Sequence, residues 1–137
     1  MGQQQLLLIV LSVVIVGAAT VVGFQMFADN AAEANMNAVQ NDLLTLAGRA
    51  QQFYVKPNAM GGGGKSFVGL DANPAGIARL TGQPSNDNGA YTITGAGTDS
   101  SVVITGIGTE DGDGDGTKVT ISMTVSPNSV ASVVDNR

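Results

Sequence analysis

A chain of 137 residues with a net charge of −5 has room for one small domain and one extended element. The negative balance argues against nucleic acid or an anionic membrane surface as a partner. It contains no Cys, His or Trp, so disulfides, thiolate chemistry, the usual general base and the usual transition-metal ligand are all missing, and no enzymatic activity is expected.

Residues 1–28 carry no charged side chain, and the first acid is Asp29. Leu6 to Phe27 is an apolar run broken only by Ser12, Thr20 and Gln25. At ~1.5 Å per residue it spans roughly 33 Å, enough to cross a hydrocarbon core. Ser and Thr can return their hydroxyls to the backbone four residues back, so both are tolerable there. Gly17 and Gly23 suit close helix–helix approach. A cleaved secretory signal fits poorly: Met1-Gly2-Gln3-Gln4-Gln5 has no positive charge, and the run exceeds the usual apolar stretch.

From Asp29 to Val55 there is no Pro. Met36, Val39, Leu43, Leu46, Ala50 and Phe53 recur at spacings of 3, 4, 3, 4 and 3, which predicts a seam on one helical face. Pro57 then disfavours helical geometry at the residue before it. The expectation is one helix over about 3–55, with residues 1–28 as an apolar half that needs lipid or other helices on every side and 29–56 as its amphipathic half.

Residues 57–137 read as a globular β-domain. NAMGGGGKS over 58–66 is expected to be a flexible connector, and FVGL over 67–70 a short strand. NPAGIARL over 73–80 predicts a helical turn with Pro74 near its start. Residues 81–90 are dense in turn formers. Tyr91 and Ile93 alternate with Thr92 and Thr94, and Ser101 to Ile107 is β-branched. Val119, Ile121, Met123 and Val125 alternate with polar residues, the clearest strand pattern in the chain, and Val130 to Val134 adds an edge strand. The predicted fold is α+β, with the long helix packed on an antiparallel sheet of three to four strands.

An uncharged N-terminal head, an apolar helix, its amphipathic continuation and a small sheet together resemble the type IV pilins and their pseudopilin relatives. The resemblance covers the whole chain as architecture and is specific over the first 55 residues. It implies a mechanical role: a subunit inserted in the cytoplasmic membrane, fed by assembly machinery into a helical homopolymer at the cell surface that serves adhesion or motility. It also implies that the fifth mature residue meets a neighbour's N-terminal amine. The family carries Glu there. Here Gln5 stands there if Met1 is first, and Leu7 if Gly2 ends a leader; the first register keeps a polar group in place. The expected assembly interface is Gln5, Gly17, Ala18, Gly23 and Phe24. The alternatives are a pseudopilin component of a secretion system and a membrane-anchored surface binding module.

Two local motifs bear on chemistry. Asp111, Asp113, Asp115 and Gly116 match positions 1, 3, 5 and 6 of a calcium-binding loop. The twelfth position is Ser122 rather than Glu, and strands flank the loop instead of helices, so this is not a standard EF-hand. A solvated Asp-Gly hairpin turn is the plainer reading. Related pseudopilins hold calcium in a C-terminal loop, which favours the metal. The run Ala59 to Ser66 is similar to a phosphate-binding loop, but a helix precedes it and a strand-like FVGL follows it where that mechanism needs the reverse, so no nucleotide is expected.

Overall fold

The computed structural model describes residues 2–137. One helix, α1, runs Gly2–Val55 without interruption. Its 54 residues span roughly 81 Å. Among the described residues, only the second half of α1 meets the rest of the chain. Ala32, Val39, Leu43, Leu46, Ala47, Ala50 and Phe53 are buried there, with Met36 packed beside them. These are the seam residues of the sequence pattern, widened by Ala32 and Ala47.

The glycine run ends α1 as a structured cap rather than the flexible connector expected from composition. After the 3-10 turn Asn58–Met60, the chain doubles back. The N–H groups of Gly63, Gly64 and Lys65 then donate to the carbonyls of Phe53, Lys56 and Tyr54 at 2.7, 2.9 and 2.6 Å. Carbonyls that a helix C-terminus leaves without partners are thereby satisfied. A side chain on Gly63 would strike the Ser66 carbonyl, so bare backbone is required at that point.

FVGL is not a strand. Gly69 takes φ 103°, which breaks the extended path. Phe67 and Leu70 instead turn inward and are fully buried, and the Phe67 ring lies 4.9 Å from that of Tyr54. The short helix α2, Pro74–Ala78, follows; the Asn73 side chain caps it by accepting from the Gly76 N–H at 2.9 Å.

Five strands then form one antiparallel meander in the order β1-β2-β3-β4-β5. They are β1 Ser85–Asn86, β2 Gly89–Ile93, β3 Val102–Gly108, β4 Thr120–Val125 and β5 Val130–Asn136. The sheet is one strand larger than expected. The addition is β1, two residues too short to show any alternation. Tyr91, Gly106 and Ile121 lie side by side in register on the face turned toward α1, as do Ile93, Ile104 and Met123. α1 lies across β3 and β4, and α2 packs beside β2. β5 is exposed along nearly its whole length and forms the far edge.

Gly106 sets how near α1 can come. A Cβ on it would sit 2.7 Å from Val39 Cγ1 and 3.1 Å from the Tyr91 ring. Strand interiors seldom favour Gly, so its place here follows from the close approach of the helix.

Candidate functional site

The first half of α1 is the most unusual surface on the molecule. Residues 2–31 are exposed throughout. Leu7, Ile9, Val13, Val16, Phe24 and Phe27 stand between 60 and 78% exposed. Ser12 and Thr20 donate their hydroxyls to the Leu8 and Val16 carbonyls at 2.8 Å, so the two polar interruptions are satisfied within the helix. This helix is long and apolar enough to cross a membrane and could act as an anchor.

The five expected interface residues all lie on this free half. Gly17 and Phe24, one heptad apart, share a face, whereas Gly23 points about 120° away from Gly17. A Cβ at Gly17 or Gly23 would meet nothing within 4 Å, so their smallness serves no purpose inside one chain. Gln5 is exposed near the start of the helix.

Below the junction, a polar rim ties the seam to the sheet. Asn35 donates to the Asn88 carbonyl at 2.8 Å and accepts from the Thr109 N–H at 3.0 Å. Gln51 donates to the Ser126 carbonyl at 3.0 Å. One oxygen of Asp42 accepts from the Tyr91 hydroxyl at 2.5 Å and from the Asn86 and Asn88 amides at 2.9 Å. Burial alone would raise the Asp42 pKa, but these donors from Asn88, Tyr91 and Asn86 outweigh it and hold the carboxyl below its ordinary value. Burial and the adjacent carboxylate push the Tyr91 hydroxyl well up. Sequence reading missed this network, because its members are 44 to 49 positions apart.

The acidic turn joins β3 to β4 at the end of the sheet nearest the free half of α1. Asp111 organises it, accepting from the Gly114 and Gly116 N–H groups at 2.8 Å, one on each carboxylate oxygen. Gly114 and Gly116 have φ 74° and 87°, which suits glycine. Asp113 accepts from the Asp115 N–H at 3.2 Å, and Asp115 from the Thr117 N–H at 2.7 Å. The Thr117 N–H is the main reason the Asp115 carboxyl titrates below its usual range. One oxygen from each of Asp111, Asp113 and Asp115 lies within 4.8 Å of the others, so this cluster could bind a metal ion. An oxygen that accepts one N–H keeps a second lone pair for a cation. The turn rests on α1 at Ala32, where a Cβ on Gly112 would come within 2.7 Å.

No protein-family model matches this chain, and comparison with curated proteins and with solved structures finds no match either.

Proposed function

We propose that the chain is the structural subunit of an extracellular filament of the type IV pilus kind. In this reading it is held in the cytoplasmic membrane before assembly, is passed on by assembly machinery and polymerises through its N-terminal helix. The observation that carries the reading is the division of α1. One half is seated on a sheet, while the other presents an all-round apolar surface with none of the described residues outside α1 against it. A helix apolar on every side needs burial on every side. Lipid supplies that burial for the lone subunit, and copies of the same helix supply it in a polymer. The exchange gains little hydrophobic free energy, so close packing at Gly17, Ala18 and Gly23 must hold the bundle. In the register that starts at Met1, Gln5 meets a neighbour's N-terminal amine through a hydrogen bond, without the charge–charge contribution a carboxylate would add; in the register that starts at Gln3, Leu7 stands there instead. The role is mechanical, and no residue is assigned to catalysis.

The same reading places calcium at Asp111, Asp113 and Asp115, because a hard cation prefers several carboxylate oxygens on one flexible turn. A pseudopilin role in a secretion system is the second reading, favoured by that turn, with the ion steadying the β-domain. Electron microscopy of material sheared from cells expressing the chain separates the two. Long fibres are expected from the wild type. Gly17→Leu should insert in the membrane normally and yield no fibres, since its side chain has open space within the monomer. A wild type that is folded and membrane-inserted yet makes no fibres would refute the filament.

A further inference from the structure

Two oppositely charged patches lie at opposite ends and opposite edges of the sheet-bearing part. At the C-terminal end of α1 a cleft is lined by Arg49, Lys56 and Arg79, with Phe53 and Leu80 between them and no acid. The cations are partly held in place. Arg49 donates to the Leu80 carbonyl at 2.9 Å, and the Arg79 guanidinium lies 5.9 Å from the Phe53 ring centroid. Because α2 packs beside β2, this cleft belongs to the β1–β2 edge.

The other patch is at the junction with the free helix half. Asp29 and Glu33 of α1 line a groove with Asp113 and Arg137, and Glu110, Asp111 and Asp115 flank it on the same turn. This patch belongs to the β5 edge: the Gly112 N–H donates to the Arg137 carbonyl at 3.2 Å, and Asn136 donates to Asp115 at 3.4 Å. Six carboxylates stand there against Lys118 and Arg137. A divalent ion on the turn would still leave the patch negative.

We propose that the basic cleft of one copy receives the acidic patch of a second copy, as a head-to-tail contact between subunits of the filament. The inference rests on the filament reading and supplies its polar interface. The two surfaces are different and lie on opposite flanks, so the contact is heterologous and propagates instead of closing into a dimer. Ala32 and Phe53 mark the two levels, 21 residues apart on one helix, which offsets contacting copies by roughly 32 Å along the helix axis. Arg49, Lys56 and Arg79 are exposed to solvent, so a single small anion would be weakly held. Several carboxylates presented together on a formed turn suit the cleft better.

Charge reversal tests the contact in the full-length chain on cells. Lys56→Glu with Arg79→Glu should cut fibre yield by on the order of tenfold or more, since like charges face each other across the interface. Adding Glu33→Lys and Glu110→Lys, which reverses the partner patch, should restore it, and that rescue also shows the first pair still folds. The chain has no Cys, so Lys56→Cys and Glu110→Cys subunits co-assembled in one fibre should cross-link to each other. Wild-type yield from Lys56→Glu/Arg79→Glu, no rescue, or no cross-link within intact fibres would overturn the contact while leaving the filament reading standing. Unchanged fibres together with loss of inorganic phosphate binding would overturn it in favour of a small-anion site. Absence of wild-type fibres would remove both.

Discussion

Gly106→Ala places one methyl group between α1 and the sheet. The new Cβ would lie 2.7 Å from Val39 Cγ1, where carbon atoms in contact prefer roughly 3.5–4.0 Å. Val39 is β-branched and fully buried, so it cannot swing aside. The helix must therefore lift by up to about 1 Å or Val39 must leave its rotamer. Overpacking of this kind costs about 1–3 kcal/mol. Replacing a strand glycine gives back about 0.5–1 kcal/mol of backbone entropy, so a net loss of about 1–2 kcal/mol is expected. For a head of this size that lowers Tm by roughly 5–15 °C, read by near-ultraviolet circular dichroism of the full chain in detergent. Val39→Ala alone leaves a cavity and destabilises by about 2 kcal/mol. Combined with Gly106→Ala it makes room for the methyl, so the double variant should be more stable than additivity predicts by about 1 kcal/mol. Gly48→Ala is the control: its Cβ meets nothing within 4 Å, and it should gain about 0.5–1 kcal/mol. An unchanged Tm for Gly106→Ala, or strict additivity with Val39→Ala, would refute the close-approach argument.

Two further outcomes are expected. Because the folded Asp42 carboxyl titrates below its unfolded value, its contribution is present above the unfolded pKa and is lost as pH falls through the folded one. Stability should therefore drop below about pH 4; Tyr91→Phe should cost about 1 kcal/mol at neutral pH and flatten part of that acid limb, and identical acid melts for both proteins would exclude the network as its source. For the acidic turn, calcium should raise the melting temperature of the wild type and a chelator should lower it, while Asp111→Asn/Asp113→Asn should show neither shift; a wild type insensitive to both additions would dismiss the ion.

The extent of α1, its seam and the longer strands were legible in the residues because each rests on a local repeat. Met36 to Phe53 carries the helical period, and Val119 to Val125 carries the strand period. Burial on one face follows from such a period wherever the partner lies. The acidic turn was equally local, with alternate Asp and Gly supplying both the carboxylates and the backbone freedom to gather them. Only the tertiary structure decided what depended on distant partners. Phe67 and Leu70 looked like strand residues until the bend at Gly69 and the ring of Tyr54 made them core. The glycine run acquired its purpose from the unpaired carbonyls of α1. Asp42 became the centre of a network, and Gly106 the point of closest approach, through residues tens of positions away, and no short-range pattern encodes which side chain will stand opposite another once the sheet is laid on the helix.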